Sequence, residues 1–233
     1  MKMTTFTSIV SLTALAAGAA CLLSGCASSA NYNQADKTGQ GIADYRAAIA
    51  GMKTQADATL KSLDQIETAA STNPRSAFEQ YRKNVAALEK AIAKSRDRGQ
   101  AMREKGDTYF SRWDNQSTTM KNPEIKQLAD QRKAELRDAF DRIKKTSEPL
   151  NARLDPWVSD LKDIQNYLGN DLTIAGVAAA KKLFAKARAD GADVNQATDS
   201  LMAELNSTSA TLTPARVPEQ PASKSPAPPK TGS

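Results

Sequence analysis

The sequence predicts an all-α fold: an elongated antiparallel bundle of about four long heptad-patterned, coiled-coil-like helices, closed by a disordered Pro-rich tail. Three observations lead there. Apolar residues recur seven apart, in paired series offset by three, through most of the chain. That is the spacing of an a/d seam. Short stretches carrying Asn, Pro or Gly separate the series, and these residues end one helix and cap the next. From Leu212 the composition turns to Pro, Ala, Ser and Lys with almost nothing apolar to bury. Such a segment cannot offset its ordering entropy and tends toward extended polyproline II.

The chain opens with Lys2 and a short apolar run, residues 9–23 ("IVSLTALAAGAACLL"). A bilayer core needs about 20 apolar residues, so this run reads as an export signal rather than a span. Its end, Leu23-Ser24-Gly25-Cys26, resembles the lipobox of bacterial lipoproteins. That resemblance implies cleavage before Cys26, diacylation of its sulfur and usually a third acyl chain on the new amine (palmitate-type anchoring). Ala27, not Asp, follows the cysteine, which favours the outer membrane facing the periplasm over retention as an inner-membrane-anchored periplasmic protein. The alternative is a plain secretory signal cut near Ala27–Ala30. Two or more acyl chains make membrane attachment stable where one does not. The chain therefore divides into a signal peptide (1–25), a lipidated Cys26 with a flexible spacer (26–35), a helical domain (36–211) and a tail (212–233).

The first helix is expected from Asp36, with Ile42, Ile49, Ala56, Leu63 and Ala70 in one series and Tyr45, Met52, Thr59 and Ile66 in the other. Asn73 and Pro74 punctuate it as cap and first helical residue. The second helix runs to about Asn115. Its series are Phe78, Val85, Ile92, Gly99, Gly106, Trp113 and Tyr81, Leu88, Ser95, Met102, Tyr109. Gly99 and Gly106 cost helix propensity, about 1 kcal/mol each relative to Ala, but let a neighbouring helix come close. Asn122 and Pro123 repeat the cap. The third stretch carries Leu136 to Ile164 and Phe140 to Leu168 in the same spacing. Pro149 and Pro156 lie inside it, and a bend is expected because the heptad phase survives both. After "LGND" (168–171) a last helix runs from Thr173 to Asn206, with a seam rich in small residues. The 116–124 turn is expected to form the tip that projects away from the anchor.

The chain has no histidine. That removes the commonest general base and zinc ligand, and with them His triads, glutamate–histidine di-iron sites and His-ligated haem. Neither a metal nor a cofactor is expected. Cleavage before Cys26 would remove Cys21 and leave no partner for a disulfide, so stability must come from burial. The formal charge is +6. The signal and the tail account for half of it, and a mild excess spread through mixed charges says little for a polyanion. Export also argues against nucleic acid.

Several motifs compete with bland readings. Ser159-x-x-Lys162 and Lys230-Thr231-Gly232 have the spacing of penicillin-binding enzymes. Ser159 falls in a heptad helix and the second motif in the tail, so both read as coincidence. "GQGIAD" (39–44) lacks the third glycine and the preceding strand of a phosphate loop. The basic runs 94–105 and 181–188 read as solvated helix faces; the alternative is contact with anionic lipid, lipopolysaccharide or cell wall. Tyr109, Phe110 and Trp113 cluster near a helix end. Phe110 and Trp113 are the candidate partner surface, Phe110 because it leaves the seam; packing at the bundle end is the bland alternative. No carboxylate pair sits in apolar surroundings that would raise one pKa for acid catalysis, and no catalytic residue is assigned.

The stretches "YFSRWDNQSTTMKNPEIKQLADQRKAELRDAFDRIKK" and "LDPWVSDLKDIQNYLGNDLTIAGVAAAKK" resemble a group of bacterial envelope proteins known only as a domain of unknown function (twenty-nine fifty-nine). The matching features are the aromatic segment around Trp113, the Asn122-Pro123 turn, Asp155-Pro156 and the loop before the last helix. The resemblance covers roughly residues 36–206 and implies a helical, often lipid-anchored protein with no established activity. The expected function is a non-enzymatic envelope scaffold or adaptor held to the membrane through Cys26, meeting a protein partner or peptidoglycan. A membrane- or lipid-binding module using basic helix faces is the first alternative, and a cell-wall-associated enzyme the second. Periodicity does not separate intrachain from interchain seams, so a homo-oligomer stays open.

Overall fold

The structure, a computed structural model, describes residues 26–212, with side chains from Asn33. The export signal and the Pro-rich tail from Thr213 lie outside the described residues. Five helices follow one another: α1 (Cys26–Thr68), α2 (Arg75–Ser117), α3 (Pro123–Asn170), α4 (Ile174–Ala179) and α5 (Lys181–Leu212). No strand occurs among the described residues. α1 packs on α2, α2 on α3, α3 on α5 and α5 back on α1, which closes a four-helix ring with α4 as the first turn of its last member. At ~1.5 Å per residue the 43 residues of α1 span about 65 Å.

The core is the heptad seam. Ile42, Ile49, Met52, Leu63 and Ile66 of α1 are fully buried, as are Tyr81 and Leu88 of α2, Leu154, Trp157 and Leu161 of α3, and Phe184, Val194 and Leu201 of α5. The seam glycines each make room for a side chain of a neighbouring helix. A Cβ on Gly99 would stand 3.1 Å from the Tyr45 ring, one on Gly106 2.6 Å from Phe140, and one on Gly191 2.7 Å from Leu60 and 3.0 Å from Trp157. Two buried aromatic residues satisfy their polar tips across helices. The Tyr81 hydroxyl donates to the Leu161 carbonyl at 2.8 Å, and the Trp157 indole donates to the Ala187 carbonyl at 2.8 Å.

The caps follow local chemistry. The Asn122 side chain accepts from the Glu124 and Ile125 amides, with Pro123 as the first helical residue. Asn73 accepts from the Arg75 amide at 3.2 Å, but here Pro74 occupies the capping position and α2 starts at Arg75. α3 passes Pro149 and Pro156 without splitting. Both prolines are exposed, so the backbone bonds they forgo lie on the water side, where the freed carbonyls stay hydrated. The seam is untouched.

Four expectations need correction. Residues 27–35, read as a flexible spacer, are helical and continue α1. Gln34 and Thr38 are buried against the bundle, and the Thr38 hydroxyl bonds the Gln34 carbonyl at 2.8 Å. The last helix is divided at Ala180, a turn residue whose backbone stays in the right-handed helical region (φ −79°, ψ −6°), and it runs on to Leu212 rather than Asn206. Val177, Ala180 and Phe184 stay in one buried series across the break. The 116–124 turn is not the tip away from Cys26. In an antiparallel ring the second turn returns to the end where the chain entered. It therefore shares an end with the start of α1 and the close of α5, and the far end holds turns 69–74 and 171–173. Phe110, the fourth, is treated below.

Burial pushes the Tyr81 phenol well above its ordinary value, and it pushes Tyr45 and Tyr109 upward too, against a smaller lowering by Arg103 and Arg132 respectively. A raised folded pKa contributes stability that is complete below the unfolded value and lost as pH climbs through the folded one. With no histidine to titrate, stability should be flat from about pH 6 to 8 and should fall above about pH 10. Chemical denaturation across that range checks this, and Tyr81→Phe should blunt the alkaline fall.

Candidate functional site: an open groove at the Cys26 end

The α1–α5 contact runs in fixed register. Arg188 meets Asp64 (2.7 Å), Asn195 meets Asp57 (2.8 Å), Lys53 meets Asp199, and Arg46 meets Asn206 (3.1 Å). Each step along one helix equals the step along the other, so Leu212 lies level with Gln40. The first three to four turns of α1 run past the described end of α5. α3 does the same: Arg132 donates to the Thr211 carbonyl at 2.7 Å, and residues 123–131 precede that level. Among the described residues the ring thus holds four helices along most of its length and three at this end.

Between α1, α2 and α3 at this end lies a groove of about 370 Å³ lined by Ala35, Tyr109, Arg112, Trp113, Met120 and Ala129, among others. Its wall is aromatic. Tyr109 and Trp113 meet edge to face, with ring centroids 5.4 Å apart. Behind them Phe110 packs edge-on against Phe140 at 5.4 Å, and the Arg137 guanidinium sits 5.0 Å from the Phe110 centroid. Asp114 joins Lys133 and Arg137, each at 2.8 Å. The Lys133 hydrogen bond, helped by Arg137, holds the Asp114 carboxyl below its ordinary value. Both partners keep their charge at neutral pH, so the pair braces the α2–α3 hairpin.

Phe110 and Trp113 are the candidate partner surface, weighed above against packing at the bundle end. The structure separates them: Phe110 is 6% exposed and belongs to the core, while Trp113 is half-buried and faces the groove. The reason is a change of step. Buried residues of α2 alternate in threes and fours up to Met102, then run Met102, Gly106, Phe110. Two successive steps of four shift the stripe around the helix and carry Phe110 inward. Gly106, whose missing Cβ admits Phe140, marks the shift. Beyond the groove, Ile125 and Leu128 are 54% and 66% exposed, an apolar pair that the heptad series did not include.

The other sequence candidates are scattered. Ser159 is exposed on α3, and Lys162 pairs with Glu89 at 3.0 Å; the Lys230–Gly232 motif lies outside the described residues. The basic runs are largely engaged by acids of neighbouring helices. Arg96 meets Asp155 at 2.8 Å, Lys186 meets Asp160 of α3, and Arg188 meets both Asp64 and Glu67. Exposed pairs of this kind are worth about 0–1 kcal/mol each. Among the described residues no group of three or more Cys, Asp or Glu is placed to hold a metal, and no helix is long and apolar enough to cross a membrane. The proposed anchor residue Cys26 stands in the first described turn of α1, at the groove end. Leu23, Ser24 and Gly25 lie outside the described residues.

An all-helical four-membered bundle with a long antiparallel seam defines the class. The family described as Protein of unknown function (DUF2959) matches residues 32–212, and the chain belongs to it. No curated protein and no solved structure matches the chain.

Proposed function

We propose that this chain is a lipid-anchored protein of the cell envelope, cut before Cys26 and acylated there, that acts as a non-enzymatic scaffold or adaptor. The observation that carries the reading is the place of Cys26. It lies on a helix that runs unbroken into the bundle, with no loop between the residue to be acylated and the packed core. Acyl chains at that point would fix a rod about 65 Å long to the membrane surface and hold turns 69–74 and 171–173 far from it. Long helical faces are then available to a protein partner, with the outer membrane and the periplasm as the expected setting. Mass spectrometry of the mature amino terminus should find acylated Cys26, and photocrosslinking in intact cells from the far turns should recover a stable envelope partner. An unmodified terminus removes the anchor. A purified domain that turns over a cell-wall substrate, with no partner recovered, removes the scaffold.

A second reading, a membrane-surface module, draws on exposed Ile125 and Leu128 at the Cys26 end, near Lys121 and Lys126. Apolar side chains beside cations suit an anionic lipid surface. Flotation of the Cys26→Ala form with anionic liposomes, lost at high salt, supports that role. No flotation of that form excludes it.

A further inference from the structure

We propose that the groove at the Cys26 end is the docking site of the chain's own tail, with residues 213–221 ("TPARVPEQP") laid along it in an extended polyproline II conformation. The inference stands on the bundle itself and does not depend on acylation. Position comes first. The groove continues the line of α5, and the Arg132 bond to the Thr211 carbonyl delivers the chain to its mouth at Leu212, itself 8% exposed. The sequence runs 21 residues further. Reach comes second. From the level of Gln40 to the start of α1 is about 20 Å at the helical rise. Seven residues of polyproline II at ~3.1 Å each, 213–219, cover about 22 Å and span it, with Gln220 and Pro221 at its outer rim.

Chemistry selects the conformation. Pro214, Pro218 and Pro221 fall within eight residues, and each removes a backbone donor and disfavours helix before it, so the segment is ill suited to continue as a fourth helix. A polyproline II strand needs no internal bonds and loses little entropy on docking. Its rings pack on aromatic walls such as Tyr109–Trp113. Pro218-x-x-Pro221 has the spacing that places two prolines on one face, and Val217 is the largest apolar side chain of the segment. Glu219 is the only acid in the tail, and Arg112 lines the groove. Tethering supplies an effective concentration in the millimolar range, so even a weak contact is occupied. A stable dimer would need about 800 Å² per partner, more than a groove of this size offers.

The two tryptophans report separately: Trp113 lines the groove, while Trp157 is 1% exposed in the core. In the full chain lacking its signal, with Cys26→Ala, the two indole N–H signals are followed by NMR after assignment with Trp113→Phe. Ending the chain at Leu212 should shift the Trp113 signal and raise its acrylamide quenching at least twofold, with Trp157 unchanged as proof that the fold persists. A peptide of residues 213–221 should restore the signal in trans. Val217→Ser with Pro218→Ala and Pro221→Ala in the full-length chain should mimic the truncation without shortening the protein. Identical Trp113 signals in full and shortened chains overturn the proposal. So does a Trp113 shift that follows protein concentration, which makes a second copy the occupant, or one that appears only with anionic vesicles, which makes lipid the occupant.

Discussion

Trp157→Ala is expected to lower the unfolding free energy by about 3–5 kcal/mol, the range for emptying a large aromatic site in a packed core. Trp157 is among the largest fully buried side chains and is 1% exposed. Its ring fills the space that Gly191 leaves open on α5, and its indole N–H bonds the Ala187 carbonyl. Alanine removes the ring's contacts with α5 and opens a void that Gly191, having no side chain, does nothing to fill. Trp157→Phe keeps part of the volume and loses the hydrogen bond, so it should cost clearly less. Urea unfolding followed by circular dichroism measures both, and equal losses for the two variants would refute the packing account.

Gly176→Ala should destabilise the protein by about 1–3 kcal/mol, the usual cost of forcing atoms into a filled site. Propensity alone predicts the opposite sign, because Ala in a helix is favoured over Gly by about 1 kcal/mol. Geometry decides. The new Cβ would lie 2.4 Å from the Asp171 carbonyl oxygen and 2.5 Å from its side chain. That turn is tied down: the Thr173 hydroxyl donates to Asp171 at 2.7 Å and accepts from the Gly176 amide at 3.1 Å. Backbone cannot swing aside as a side-chain tip can. Gly51→Ala is the control, since nothing lies within 4 Å of its added Cβ. There propensity acts unopposed, and stability should rise by up to about 1 kcal/mol. If both variants move in the same direction, the steric argument fails.

Much of the fold was legible because the seam is nearly regular. Ile49, Leu88, Leu161 and Leu201 are core positions by spacing alone, and Asn122 caps by side-chain chemistry alone. What the spacing hid has physical causes. A strict count by seven carries Trp113 into the seam and leaves Phe110 out. The two steps of four around Gly106 reverse that order, and 102–106–110 was the signal that would have shown it. The early part of α1 contains small polar residues that suggest a spacer, yet Gln34 and Thr38 repeat the same pair of fours ahead of Ile42 and are buried. The place of the 116–124 turn follows from parity: an even number of antiparallel passes brings the chain back. The groove itself was not readable, although Trp113 and Tyr109 were. Among the described residues α5 stops short of the level where α1 begins, and that becomes visible only once the α1–α5 register is fixed.

A stripe that repeats every seven residues invites misalignment, since sliding one helix by a full repeat still sets grease against grease. The seam glycines narrow that ambiguity, and Gly191 removes it for α3 and α5. Gly99 receives Tyr45 from α1, Gly106 receives Phe140 from α3, and Gly191 receives Trp157 from α3. Gly99 and Gly106 lie one repeat apart on α2, so α2 offers two such vacancies, whereas α5 offers one. A slip by one repeat drives the Trp157 ring into Phe184 or Thr198 in place of Gly191. That pair works as a lock pin between α3 and α5, so a shift of either by one repeat clashes there and the two helices close in one frame.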